Sequence, residues 1–375
     1  MLGLLADKED PSGAGRRRTE DRGKALAGKS TLNRLELTPK EAGKQDRYKK
    51  IVAQTEAMDT LLVEVFVESH AVPPKEIVID VDATDDPLHG DQEGRFFHGY
   101  YGHYCYLPLY FFCGDRLLCA RLREADEEPA TGCVEELSRI VAQVRAAWPE
   151  VRIVLRGDSG FCREAIMSWC ETHGVEYVLG LAKNGRLTDI IAGELAKARG
   201  AYEASGEAAR WFKDFRYQTR ESWTCERRVV GKAEYLAKGE NPRFIVTSLA
   251  AEDWEARALY EDLYCARGEM ENRIKEQQLQ LFADRTSTHA IDSNQLRLYF
   301  SSFAYVLIET LRALGLSGTE LAQAQCGTIR LKLFKVGAQV RLSVRNIWIA
   351  FSEAYPYARL FQAVLDRLRQ IPLTC

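Results

Sequence analysis

The sequence predicts an α/β protein: a mixed sheet with helices on both faces, and a β-rich insertion before the last helix of the core. Three observations predict it. Apolar runs rich in β-branched residues (EIVIDVDAT, VRIVLRGDSGF, VEYVLGLAK) alternate with stretches of helical spacing between residues 75 and 183. Two of those runs end in an aspartate followed by small residues, DAT and DSG. Beyond them, 184–250 changes to short β-like runs with clustered Arg and Lys and two tryptophans, Trp211 and Trp223.

A 1–45 segment rich in Gly, Arg, Lys and Asp reads as a basic arm or linker. Residues 46–74 hold a helix, DRYKKIVAQTEAMDTLLVEVFVESH, that Pro73 and Pro74 end. The core's first part spans 75–183. There EIVIDVDAT is a strand, GYYGHYCYLPLYFFCG and RLLCARLRE are the next two, and 132–148 is an amphipathic helix. A strand, a helix (CREAIMSWCETHG) and a strand complete it. After the insertion at 184–250, a long helix over 251–282 and an apolar helix over 294–314 form the core's last part, 251–315. The remainder, 316–375, is a basic two-stranded ribbon around Gly337 followed by a helix at about 346–370.

With 375 residues, 46% hydrophobic and 28% charged, the chain is long enough for a large core and ordinary in polarity. It has no run of eighteen apolar residues and no basic n-region ahead of its first apolar patch, so a cytoplasmic protein without a membrane partner is expected. None of its ten cysteines forms a C-x-x-C pair, which predicts reduced thiols and no structural metal. The net charge of −3 hides segregated positive segments. Residues 1–50 hold 13 Lys and Arg against 8 Asp and Glu, and 329–345 holds five basic residues and no acid. Such segregation suits a polyanionic partner.

One stretch suggests a nucleotide enzyme. GKALAGKST, from Gly23 to Thr31, fits the phosphate-loop pattern. That loop must follow a buried strand, and the preceding GAGRRRTEDR cannot form one. The match is accidental, no nucleotide cofactor is expected, and Ser30 or Thr31 reads instead as the N-cap of a short TLNRLE helix.

The acids carry more. Asp82 and Asp158 each follow a buried strand, which puts both at the carboxyl edge of the sheet, where α/β proteins place their sites. In the long helix Tyr264, Arg267, Glu271, Lys275 and Gln278 fall on one stripe at 3.6 residues per turn, so Glu271 can face the two aspartates. Three convergent carboxylates suit hard divalent cations: two Mg²⁺ (or Mn²⁺) ions activate a water and stabilise the leaving oxygen of a phosphodiester. Each acid alone is as readily a strand end or a helix cap.

The run DVDATDDPLHGDQEGRFFHGYYGHYCYLPLYFF, with RGDSGF and YCARGEMENRIKEQQ, resembles the DDE transposases of bacterial insertion sequences. The resemblance implies an RNase H-like core, Asp82, Asp158 and Glu271 as metal-holding catalytic acids, and a Tyr-x2-Arg-x3-Glu signature at Tyr264, Arg267 and Glu271. It also implies DNA as partner, both as element ends and as target, and a homodimer assembled on it. Relatives with that signature place a Lys seven residues after the Glu. Here that position is Gln278, and Lys275 stands one turn earlier. Tyr264, Arg267, Lys275, Arg330, Lys332, Lys335, Arg341 and Arg345 are the expected DNA contacts.

Asp80 shares the strand face of Asp82, so two readings stand for the first ligand, and Asp82 is the one that matches the family pattern. His89, His98 and His103 fit no zinc spacing. DVDAT also fits the nucleophile loop of haloacid-dehalogenase-like phosphatases, but Cys162 stands where that family needs a second acid. A non-catalytic transposase remnant is the other rival. Relatives carry a helical domain ahead of the GKSTLNRLE region, and only 22 residues precede Gly23. Poor discrimination of element ends is therefore expected.

Overall fold

β1 (Glu76–Ala83) lies inside a mixed sheet, and its neighbours set where the acidic residues emerge. The computed structural model describes residues 29–39, 41–46, 52–344 and 346–371. They divide into two units, one of 59–87 with 94–274, the other of the described parts of 1–58, 88–93 and 275–375.

In the first unit β1 pairs antiparallel with β5 (Leu109–Cys113), which pairs antiparallel with β6 (Arg116–Arg121). On its other side β1 runs parallel to β7 (Arg152–Gly157), and β7 parallel to β8 (Glu176–Leu181). Three antiparallel strands extended by two parallel ones make the RNase H-like mixed sheet that the sequence predicts. The parallel steps need crossovers, and the helices Cys133–Ala147 and Glu164–Thr172 supply them. A small second sheet joins β2 (Asp86–Pro87), β3 (Phe96–His98) and β4 (His103–Tyr106). The run GYYGHYCYLPLYFFCG, expected as one strand, is thus two, β4 and β5, parted at Leu107-Pro108 because proline cannot donate to a ladder.

The region 184–250 opens with two helices, Gly185–Ile190 and Ala192–Ser205. Its strands β9 (Ala209–Tyr217), β10 (Arg227–Leu236), β11 (Gly239–Glu240) and β12 (Arg243–Thr247) then continue the main sheet, since β12 pairs with β8.

Strand alternation sorts the side chains onto two faces. Ile77, Ile79, Val81, Leu155, Tyr177 and Leu179 enter one large core with Phe66, Leu137, Ile140 and Met167 of the flanking helices. Val154 and Val178 face the other way and are covered by Leu259, Tyr260 and Leu263. Asp80, Arg156 and Gly180 share the parity of this second face, so whatever covers it meets polar side chains. The covering segment is not one regular helix from 251 to 282. It starts at Ala256, runs as a π-helix over Leu259–Tyr264, tightens to 3₁₀ over Cys265–Arg267, and is α-helical over Gly268–Lys275. The wide turn lets its backbone follow the sheet, a distortion common at functional sites.

In the second unit the helix Lys29–Leu37 lies against Ile291–Leu314, where Arg297 meets Glu36 at 3.3 Å. Ser30 and Thr31 therefore sit in the first turn of that helix, not at its cap, while 1–28 lie outside the described residues. The ribbon exists but is displaced. It pairs β13 (Ala338–Leu342) with β14 (Ile347–Phe351), and it turns at Ser343–Asn346, not at Gly337. Alternating β-branched residues in IWIAF make a strand where a helix from 346 was expected, and the last helix is Ala358–Arg369. Before the ribbon, 326–334 is helical, ending in a π turn.

Candidate active site

The parallel register of β1 and β7 places the acids. Asp80 lies opposite Arg156 and Val81 opposite Gly157, so Asp82 and Asp158 follow side by side, on strands about 5 Å apart. Gly157 is required at the last pair. A Cβ there would stand 2.9 Å from Val81 and 3.3 Å from Leu179, closer than core packing allows.

Asp80 is not free to act as a ligand. Its carboxylate accepts two hydrogen bonds from Arg156, from Nε at 2.5 Å and from Nη2 at 2.8 Å, and both side chains are buried. Arg156 Nη1 donates its remaining bond to the Leu263 carbonyl at 2.6 Å. The pair fastens β1, β7 and the covering helix together one step below the site. Asp80 is thus part of an anchor, whereas Asp82, two residues on, has no such double pairing.

Asp82 accepts from the Ala83 N–H at 2.9 Å and faces Arg267, whose Nη1 is 3.4 Å from Oδ2. Burial first, then the negative charges of Asp158 and Glu271, push its carboxyl up to about 7, against the pull of Arg267 and the Ala83 amide. Asp158 caps the short turn Ser159–Phe161 by accepting from Gly160 N at 2.8 Å. Glu271, on the helix one turn after Arg267, takes the other arm of the same guanidinium, Nη2 to Oε1 at 3.2 Å, and is 43% exposed. Arg267 thus spans Asp82 and Glu271. Though burial disfavours its charge, Asp82, Asp158 and Glu271 together hold its pKa above the ordinary arginine value.

Tyr264 fills the corner between β8 and Asp158. A Cβ on Gly180 would come within 2.6 Å of its hydroxyl and 2.8 Å of the Ser159 nitrogen, so only glycine leaves room for that hydroxyl beside the strand. Burial raises the Tyr264 hydroxyl above the usual range, with Asp158 adding to it.

Among the described residues no three His, Cys, Asp or Glu side chains stand close enough together to hold a metal ion, and Arg267 bonds two of the acids. The donor chemistry nevertheless suits one. Three carboxylates offer hard oxygen ligands.

The remaining expected contacts lie elsewhere. Lys275 ends the helix Gly268–Lys275 with an exposed side chain. In the second unit the Arg330 guanidinium stacks over Phe282 at 4.7 Å and the Lys332 ammonium over Tyr357 at 4.7 Å, both on the helical segment. Lys335 is exposed at that segment's end and Arg341 exposed on β13, so among the four described basic residues assigned to the ribbon only Arg341 is on a strand. Arg345 lies outside the described residues. Trp223 is buried against Tyr217, and Trp211 is partly buried on β9. His103 bonds Asp85, and His98 packs on Tyr101.

The match that decides the family covers residues 8–373 and is described as transposase DDE domain, group 1. The chain belongs to that family. No curated protein matches this transposase-family chain. Among solved structures it is similar to a piggyBac transposase in a synaptic complex with hairpin DNA, at 9% identity and a TM-score of 0.38, over 81% of this chain and 55% of that one. It is also similar to Ciona intestinalis endonuclease V bound to DNA, at 10% identity and a TM-score of 0.24, over 68% of this chain and 98% of that one. The chain thus spans about half the length of the piggyBac protein. Of its helices, none among the described residues is long and apolar enough to cross a membrane.

Sequence reasoning missed Arg156, Gly180 and the field that Asp82 and Asp85 exert on Tyr101. Arg156 was findable: it stands two residues before Asp158, on the same strand face, as Asp80 stands two before Asp82. Nothing in the sequence marked Gly180 before its neighbour across the sheet was known.

Proposed function

We propose that this chain is a DNA transposase that cuts at the ends of an insertion sequence and joins them to target DNA, with Asp82, Asp158 and Glu271 as the catalytic carboxylates. One observation carries the reading: the β1–β7 register sets Asp82 beside Asp158 while Arg267 ties Asp82 to Glu271. Family membership supports it.

Asp82, Asp158 and Glu271 would hold two Mg²⁺ or Mn²⁺ ions, which when bound supply Lewis acidity and a nucleophile of lowered pKa. The chain's own residues do the rest. Arg267, a two-armed donor already among the carboxylates, orients Asp82 and Glu271 and turns to the phosphodiester when DNA enters. Tyr264 holds the Asp158 turn from behind. Lys275 and the basic residues Arg330, Lys332, Lys335, Arg341 and Arg345 would contact DNA phosphates, positioning the duplex without reading it. Acting on two element ends implies a homodimer on DNA.

The test is strand cleavage of duplexes carrying the element's ends, in Mg²⁺ and in EDTA. Cleavage that needs the metal and disappears in Asp158→Asn, with duplex binding retained, supports the reading. Metal-independent cleavage, or full activity in Asp158→Asn, refutes it.

A further inference from the structure

The carboxyl edge of the main sheet does not end at the two aspartates. Beyond β1 and β7 the next strands in the row are β8 and β12. Gly157 pairs with Leu179, so Asp158 is level with Gly180, and the chain runs on from β8 through Ala182 to Lys183. β12 is antiparallel to β8 and enters at this same edge. Phe244 faces Leu181, which sets Arg243 level with Ala182, next to Lys183. Four neighbouring strands therefore present Asp82, Asp158, Lys183 and Arg243 in that order. Strands lie about 5 Å apart, so the edge passes from two acids to two bases within roughly 15 Å. On the other flank of Asp82 the edge is Leu107-Pro108-Leu109, which carries no charge.

Beside the two bases lies a cavity of about 140 Å³. Its lining includes Ser159, Lys183, Arg243, Phe244, Tyr260 and Tyr264, and no carboxylate. Lys183 and Arg243 are both exposed, and among the described residues neither is bonded to an acid. The positive field of Arg243 reaches both tyrosines of the lining, where it opposes the burial that raises their hydroxyls.

Size and charge define the occupant. Sites for drug-sized ligands run to roughly 300–1,000 Å³, so this one takes a single small group. Two unpaired cations beside three hydroxyls select an anion, and the forked guanidinium with a point-charge ammonium suits a phosphate. An acidic side chain of a protein would satisfy the same donors, but position decides against it. The cavity lies one strand beyond Asp158. A DNA strand with its scissile phosphate at the two aspartates carries its next phosphates past this point, and a protein surface seated there would block its path.

Resting on the transposase reading above, we propose that Lys183 and Arg243 form a phosphate seat for the strand being cut, holding a backbone phosphate within two nucleotides of the scissile one. The seat positions and does not react. Phosphate contacts fix register, so it sets which bond of the strand lies at Asp82 and Asp158.

The test uses the full chain and element-end duplexes in which one backbone phosphate at a time is a neutral methylphosphonate. The cut is mapped on the unmodified duplex in Mg²⁺, and affinities are measured in EDTA. In wild type, one methylphosphonate within two nucleotides of the cut weakens binding about tenfold, the low end for hydrogen bonds to a charged group. In the double variant Lys183→Gln/Arg243→Gln that position is silent, the other positions behave as in wild type, and the salt slope falls by about one. In Mg²⁺ the cuts of the double variant scatter over neighbouring bonds, which a loss of stability alone does not produce. Lys183→Arg, which keeps the charge, retains both the sensitive position and the single cut. Identical methylphosphonate profiles for wild type and the double variant overturn the proposal, as does a silenced position farther than two nucleotides from the cut. So does an altered oligomeric state in the double variant with the profile unchanged, which assigns the two bases to a protein partner. A silenced position together with full cleavage by Asp158→Asn upholds the seat and removes the carboxylate reading instead.

Discussion

Asp80 and Arg156 are joined by two parallel hydrogen bonds, 2.5 and 2.8 Å, inside a sheet where neither meets solvent. Two residues on, Asp82 lies near the end of β1 and Asp158 directly follows β7, and the two share no hydrogen bond like that of the anchor. One register therefore builds an anchor and, a step later, a site. The anchor's side chains neutralise each other, whereas at the site one guanidinium, that of Arg267, spans Asp82 and Glu271.

The anchor gives the first prediction. Asp80→Ala leaves the Arg156 charge buried and unpaired, which costs about 3–5 kcal/mol of stability. In a denaturant titration Asp80→Ala unfolds well before wild type. Asp82→Asn does not, although both sit on one strand.

The second prediction concerns pH. Asp82 has its folded pKa raised to about 7 from 3.8, so between those values the folded chain binds more protons than the unfolded one. For a raised carboxyl, stability falls as pH rises through that window. Asp82→Asn removes this term. It should be more stable than wild type at pH 8, by no more than about 4 kcal/mol at 1.36 kcal/mol per unit, with the advantage shrinking toward pH 5. Melting curves of both proteins at the two pH values check the sign. Added Mg²⁺ should narrow the gap at pH 8 by stabilising wild type alone.

A third prediction tests the role of Arg267. Its fork spans two acids, which a lysine's single ammonium cannot do. Arg267→Lys should retain the fold and lose most cleavage, and Arg267→Ala should also be less stable in EDTA than in Mg²⁺. Equal stability of Arg267→Ala in the two buffers would show that the carboxylates do not need a cation between them.

The fourth concerns Gly180. A methyl there meets the Tyr264 hydroxyl and the Ser159 backbone, so Gly180→Ala should cost about 1–3 kcal/mol, as overpacking does. Adding Tyr264→Phe should recover part of the loss and not all of it, because the Ser159 nitrogen remains. Full recovery in a double-mutant cycle would mean that the backbone moves aside.

Much of the site was legible because strand ends and residue types are local properties. EIVIDVDAT and VRIVLRGDSGF mark where two strands stop, and the i, i+4 spacing of Arg267 and Glu271 survives into the fold as a contact. The pairing of Asp80 with Arg156 was not legible, since it turns on a parallel register that joins residues 76 positions apart. The uniform stripe from Tyr264 to Gln278 was an assumption that the π and 3₁₀ turns break, because the helix bends to the sheet it covers. The ribbon was misplaced for a similar reason: 326–334 and 347–351 are both short, largely apolar runs, and their periodicities differ too little over nine or five residues to separate strand from helix.

The most direct measurement is cleavage of element-end DNA in Mg²⁺ by a matched set of folded variants, Asp82→Asn, Asp158→Asn, Glu271→Gln and Asp80→Asn, each first shown to bind the duplex. The first three should lose cleavage by at least about a hundredfold, the upper end of what losing a mere outer-shell partner of a metal ligand costs. Asp80→Asn should keep a substantial part of it wherever it remains folded. Cleavage retained by Asp82→Asn, or abolished in a folded Asp80→Asn alone, would contradict the assignment of Asp82, Asp158 and Glu271.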